Sequence, residues 1–399
     1  MRELKFLEDE DEISQYVFNM LLQSPHSKPL CPRLVKLSWI AGPTLGGDFT
    51  PFISPQLQHV HLASRPGTIF SFSHAISALP ASSLKTLRLS IIGDGPVGEA
   101  ITCMFSACRE NLVKLKVSRM NQLLDVTWCR IVSLPHLHTM ETDQSPPTVS
   151  HPNPPSSFPS LQRLTLRGPV AFTWINFLAG ENVRRASSEA GSQPRAVAPR
   201  LVQLYCDYEA DLHVAFLSHF WVFRNLSTII LGTACSQARC TFHLTDGDIG
   251  QLAAELPGLR YLFLGAPCSH NTCFPTIISL LTLSAYCEHL SKLCIHFNTR
   301  NFARNMKHSL HHPLRRNPHP PSRCPLAVLD VGHIPLTPED LGNDLFPALV
   351  GLVDIFPRLQ KISYMPSSHS REYRGWWQLN AQIPGFQEMR KSLPVLFTQ

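Results

Sequence analysis

Apolar and polar residues alternate along this chain in a recurring phrase: an apolar residue, two variable residues, an apolar residue, one variable residue, an apolar residue. It is usually entered through Pro-x, Asn or His, as in PRLVKLSW (32–39), PQLQHVHL (55–62), PSLQRLTL (159–166), PGLRYLFL (257–264) and PRLQKISY (357–364). Twelve copies begin at Leu34, Leu57, Leu84, Leu112, Leu137, Leu161, Leu201, Leu226, Leu259, Leu290, Leu326 and Leu359, spaced 23 to 40 residues apart. The end of each phrase alternates with period two, which predicts a short strand with one buried and one exposed face. Such a strand cannot bury its apolar side alone, but a stack of parallel copies can.

The segments between phrases predict the return path. Residues 68–79, 98–108, 212–223, 248–256, 275–290 and 338–356 carry apolar residues at helical spacing. LTDGDIGQLAAEL opens with an acidic cap signal before such a run. Strand, turn and helix then alternate, which requires a parallel sheet. L-x-x-L-x-L recurring at this period marks leucine-rich repeats. The expected fold is therefore α/β: a leucine-rich-repeat solenoid of about 12 irregular repeats over residues 31–370, its curved parallel sheet concave and its helices outside. Loop insertions are expected at 142–158, 181–199 and 303–325, all Pro-rich or polar and outside the packed ladder. Residues 1–30 should form an N-terminal helical cap (ISQYVFNMLLQ) or, through Leu4 and Phe6, a degenerate repeat. Residues 371–399 should be a C-terminal cap, with Trp376, Trp377, Ile383 and Phe386 covering the last apolar face.

Composition changes this picture little. The chain has 399 residues, 34 prolines and a net charge of +6, too modest for its length to imply nucleic acid. The start, MRELKFLEDEDEISQYVF, is acidic and does not read as a signal peptide. The apolar stretch FPTIISLLTLSAY (274–286) is too short to span a bilayer. An intracellular protein, cytoplasmic or nuclear and without membrane contact, is expected. The twelve cysteines have no framework spacing and should behave as small hydrophobes where they fall inside phrases, as Cys206 and Cys294 do.

Catalytic motifs are not legible. G-x-S-x-G, H-E-x-x-H, G-x-G-x-x-G and the phosphate loop are missing, so neither an enzymatic role nor a cofactor is expected. The Cys pairs CSQARC (235–240) and CSHNTC (268–273) occupy adjacent repeats and could converge as two zinc half-sites, but they are read as incidental loop cysteines. The basic, His-rich run at 304–323 is read as a solvated loop.

The third and fifth positions of each phrase point away from the core and form the better candidate site. In the N-terminal half they include Lys36, His59, His61, Arg88, Lys114, Lys116, Arg163 and Thr165, with Glu141 as the exception. In the C-terminal half they include Tyr205, Ile230, Tyr261 and Phe263. A basic stretch is thus followed by an apolar, aromatic one. Exposed aromatics on a rigid sheet are anchors for a protein partner.

The segments FPSLQRLTL, LTDGDIGQLAAELPGLRYLFL and LVDIFPRLQKISY resemble the leucine-rich-repeat region of fungal F-box-like proteins, over roughly residues 30–370. The resemblance implies a non-catalytic substrate-recognition module of a ubiquitin ligase, with the repeats binding the protein to be ubiquitinated. It also implies docking to a cullin-type ligase adaptor through an F-box. The Leu-Pro-x-Glu-like start of that module is not readable in residues 1–30, so the adaptor is expected as a partner only if an F-box lies upstream. The alternative is a leucine-rich-repeat scaffold with no ubiquitin role.

Overall fold

A computed structural model describes residues 1–7, 20, 29–42, 49–64, 72–91, 96–119, 123–146, 158–171, 173–178, 200–207, 220, 223–232, 244–264, 275–309, 324–332, 334–341, 345–364 and 373–392. They fall into two compact units, Met1–Leu201 and Val202–Gln399.

Every phrase becomes a strand. The first unit holds β1 (Glu3–Leu7), β2 (Lys36–Ala41), β3 (His59–Ser64), β4 (Thr86–Ser90), β5 (Lys114–Val117), β6 (Thr139–Thr142) and β7 (Arg163–Arg167). The second holds β8 (Gln203–Asp207), β9 (Thr228–Leu231), β10 (Tyr261–Leu264), β11 (Lys292–Ile295), β12 (Val328–Gly332) and β13 (Lys361–Tyr364). Within each unit the strands pair in parallel, in chain order. Each unit is an α/β leucine-rich-repeat solenoid. The strand β1 comes from RELKFLED and pairs in parallel with β2. The helix expected over ISQYVFNMLLQ lies outside the described residues, apart from Met20.

A repeated turn sets the register. All twelve leading leucines are buried to 1% exposure or less. In most repeats the amide of that leucine donates to the carbonyl three residues back, as Leu57 to Ser54, Leu226 to Phe223, Leu259 to Leu256 and Leu359 to Phe356. The carbonyl just after it then accepts two successive amides from the next repeat: Gln58 and His59 donate to Val35, Arg260 and Tyr261 to Ser227, Gln360 and Lys361 to Ala327. One slip in this ladder would turn the leucines outward, so turn and burial enforce the same alignment.

The helices lie on the other side. Among the described residues of the first unit they include α1 (Ser73–Ser77), α2 (Pro96–Ala107) and α3 (Asp125–Val132). The second unit has α4 (Asp246–Glu255), α5 (Ile277–Tyr286), α6 (Phe302–Ser309), α7 (Pro338–Leu341), α8 (Phe346–Ile355) and α9 (Arg374–Ser392). Adjacent strands sit about 4.8 Å apart, whereas packed helices need about 8–10 Å. Within each unit the strand side is therefore the short, concave side. The helical expectation over 212–223 lies outside the described residues, except Phe220 and Phe223.

Two expectations need correction. The segment 303–325 was expected wholly outside the ladder, but its first part belongs to α6. Phe302 and Met306, four residues apart, share a face that is buried as the helix packs on α8. Gly351 of α8 permits this approach, because a Cβ there would stand 3.0 Å from Met306 Sδ. The cap helix α9 differs in one residue. Trp376, Leu379, Ile383 and Phe386 are buried, whereas Trp377 is 60% exposed. Positions 376, 379, 383 and 386 follow the helical period, and 377 is turned about 100° from that face.

Helix α9 also closes the edge of β13. Asn380 Oδ1 accepts the amide of Ile362 at 2.8 Å, and Gln387 Nε2 donates to the carbonyls of Pro357 and Leu359 at 3.1 Å each. A bare edge strand invites pairing with another chain. Here cap side chains satisfy backbone groups that a further repeat would otherwise meet.

Candidate functional site

The ladder register fixes which side chains stand beside one another on the strand face. In the first unit one row runs Glu3, Lys36, His59, Thr86, Lys114, Thr139, Arg163. The next row runs Lys5, Ser38, His61, Arg88, Lys116, Glu141, Thr165. Lys36, Arg88, Lys114 and Arg163 are exposed, and Lys116 is half-buried. Leu37, Val60, Leu87, Leu115, Met140 and Leu164 point the opposite way into the core.

The positive charge on this face is unevenly compensated. Glu141 accepts Lys116 Nζ at 2.7 Å and Arg167 Nε at 2.8 Å. Glu3 lies 3.8 Å from Lys36 and 3.6 Å from Lys5. Lys85, Arg88 and Lys114 form no ion pair among the described residues. Their field reaches the two imidazoles between them. Burial, then Lys36, Lys85 and Lys114, lowers His59 below the ordinary histidine value. Burial, then Arg88 and Lys116, lowers His61, whose Nδ1 is hydrogen-bonded to Ser38 Oγ at 3.0 Å. Both rings are therefore biased further toward the neutral form, and the positive charge of the face comes chiefly from Lys and Arg.

The second unit presents different chemistry. One row runs Gln203, Thr228, Tyr261, Lys292, Val328, Lys361, and the next Tyr205, Ile230, Phe263, Cys294, Asp330, Ser363. Tyr205, Ile230, Tyr261 and Phe263 are all half-buried and sit together on β8–β10. Lys292 Nζ lies 5.8 Å from the Tyr261 ring centroid, a cation–π contact across adjacent strands. Burial pushes the Tyr261 phenol up, with Cys294, Asp330 and Tyr205 adding to the shift.

The apolar, aromatic residues Tyr205, Ile230, Tyr261 and Phe263 all fall on β8–β10. β11–β13 carry Lys292, Asp330 and Lys361 at the same outward positions. These residues were readable from the phrases SKLCI, AVLDV and QKISY, which have a charged side chain at the third or fifth position. Arg167 follows its phrase and Lys85 precedes the outward positions of its own, so the pattern did not mark either.

The thiols do not supply a nucleophile here. Cys294 is buried on the β11 row and its thiol is pushed up to about 12, chiefly by burial. Cys287 is likewise pushed up to about 12, and Cys206 is raised by burial alone. All three are protonated at neutral pH and pack as small apolar groups. Among the described residues, no three His, Cys, Asp or Glu side chains converge as a metal site would need. The pairs at 235–240 and 268–273 lie outside the described residues. No helix among the described residues is long and apolar enough to cross a membrane.

No protein-family model and no curated protein sequence matches the chain. Solved structures do show similarity. An internalin from Listeria monocytogenes str. 4b F2365 is 14% identical, with a TM-score of 0.35 covering 86% of this chain and 74% of that one. The yeast Rad7 and Elc1 complex is 11% identical, with a TM-score of 0.35 covering 85% of this chain and 79% of that one. At such scores the fold class rests on this chain's own strand order and burial.

Proposed function

We propose that this protein is a non-catalytic protein-interaction module whose strand face receives a protein partner, as in the substrate-recognition repeats of an F-box ubiquitin-ligase receptor. The observation that carries the reading is the patch of Tyr205, Ile230, Tyr261 and Phe263. Four large side chains stand on the outward side of three neighbouring strands, held there by the same register that buries the leucines. Aromatic residues of this kind, rigid and only half-desolvated, gain most from burial against a partner.

Replacing Tyr261 and Phe263 together with Ala tests this. The quantity read is partner recovery in quantitative affinity purification, beside a thermal melt of the free protein. Loss of two central aromatics should weaken the partner by about 2–4 kcal/mol while the melting temperature stays near wild type. Unchanged recovery would remove the patch from the interface.

The second reading is a leucine-rich-repeat scaffold without a ubiquitin role, in which residues 3–7 serve as ladder strand β1, paired to β2 through all five positions. Co-purification of the cullin-type adaptor with the full chain separates the two readings.

A further inference from the structure

We infer that the basic strand face of the first unit, centred on Lys85, Arg88 and Lys114, binds an acidic, extended segment of the protein partner. This rests on the interaction reading above and names the partner's chemistry at the strand face of the first unit.

Like charges on neighbouring strands repel and are destabilising in a sheet. Here Arg88 stands directly opposite Lys116 on β5, and Lys114 is two residues from Lys116 on the same face. Adjacent strands are about 4.8 Å apart and same-face neighbours along a strand about 6.6 Å apart. Cations held this closely concentrate an attractive field for a string of carboxylates. The depressed His59 and His61 sense that field from within it.

Glu141 shows the mode of recognition. It is a carboxylate on the same face that already gathers Lys116 and Arg167 at 2.7 and 2.8 Å. A partner carboxylate arriving beside it would find Arg88 and Lys114 without an acidic neighbour in contact among the described residues and would compete with Glu141 for the other two. Nucleic acid fits this face less well. Its outward rows on β2–β7 offer no Phe, Tyr or Trp on which bases could stack.

The test uses the full chain and a fluorescently labelled peptide of alternating Glu and Ser, followed by anisotropy at low and physiological salt. The peptide should bind, and binding should weaken as salt screens the face. Arg88→Glu with Lys114→Glu should weaken it at least about tenfold. Arg88→Gln with Lys114→Gln should weaken it less, which guards against a folding defect in the first variant. Glu141→Gln should act in the opposite direction, tightening the peptide about threefold by releasing Lys116 and Arg167. No binding, or binding indifferent to all three variants, overturns the inference. So does a single-stranded oligonucleotide of equal charge that binds as tightly as the peptide. The Tyr261→Ala/Phe263→Ala protein should bind this peptide normally. If the peptide fails while capture still depends on Tyr261 and Phe263, the acidic-segment inference falls and the interaction reading stands.

Discussion

Replacing Trp376 with Ala should lower the stability of the second unit by about 3–5 kcal/mol. Trp376 is fully buried, and its Nε1 donates to the Ile334 carbonyl at 2.8 Å. Its ring meets Phe297 and Phe302 edge-on, with centroids 6.0 and 5.6 Å away. Truncation removes the ring, leaves a cavity between α6 and the cap helix, and strands the Ile334 carbonyl. The neighbouring Gly375 leaves little room for relaxation, since a Cβ there would stand 2.5 Å from the Leu336 carbonyl oxygen. At about 2–4 °C per kcal/mol, the loss should be plain in a thermal melt. Trp377→Ala, one residue along on the exposed side, should leave the melt almost unchanged. Equal effects from the two would contradict the placement of the cap.

Asp246→Ala should cost about 2–4 kcal/mol, from charge-assisted bonds lost and buried donors left unsatisfied. The Asp246 carboxylate accepts the amide and hydroxyl of Thr276, both at 2.7 Å, and the amide of Ser279 at 3.1 Å and its hydroxyl at 2.5 Å. It sits in the first turn of α4 yet caps the start of α5, a helix N-terminus where negative charge is favoured. One side chain therefore ties two successive repeats together on the helical side, as the ladder does on the strand side. Asp248 has the local task, closing a capping box with Thr245. Asp246→Asn should retain part of the stability that Ala loses, and chemical denaturation of the three proteins gives the comparison. A neutral result for Ala would mean that the ladder alone holds the repeats.

The physical reason the ladder was legible is that each repeat carries its own complete signal. A leading leucine, a turn and a period-two strand specify burial and register without reference to distant sequence. RELKFLED was readable as a repeat because Leu4 and Phe6 keep that alternation, and Phe6 stacks on Trp39 with centroids 4.2 Å apart. What depends on long-range meeting was not legible. Asp246 reads as a local helix cap, and nothing in sequence places it against Thr276 and Ser279. The pairing of Glu141 with Arg167 crosses two strands at offset positions, outside any motif. Helix α6 is hidden in a basic run because only Phe302 and Met306 mark its buried face.

For the candidate site the outward direction of Lys36, Arg88, Lys114, Lys116, Arg163, Tyr205, Ile230, Tyr261 and Phe263 follows from phrase position alone. Their environment does not. Lys116 is already engaged by Glu141, and Tyr261 lies against Lys292. These differences separate free cations that can attract a partner from those the fold already uses.

The claim that a protein partner lies on the strand face is tested most directly by hydroxyl-radical footprinting of the purified complex against the free chain. Tyr261 and Phe263 on β10 and Tyr205 on β8 should become protected, while Phe346 and Trp377, exposed on the helical side, keep their free-chain reactivity. Protection of Phe346 and Trp377 with Tyr205, Tyr261 and Phe263 unchanged would place the partner on the helices and contradict the account.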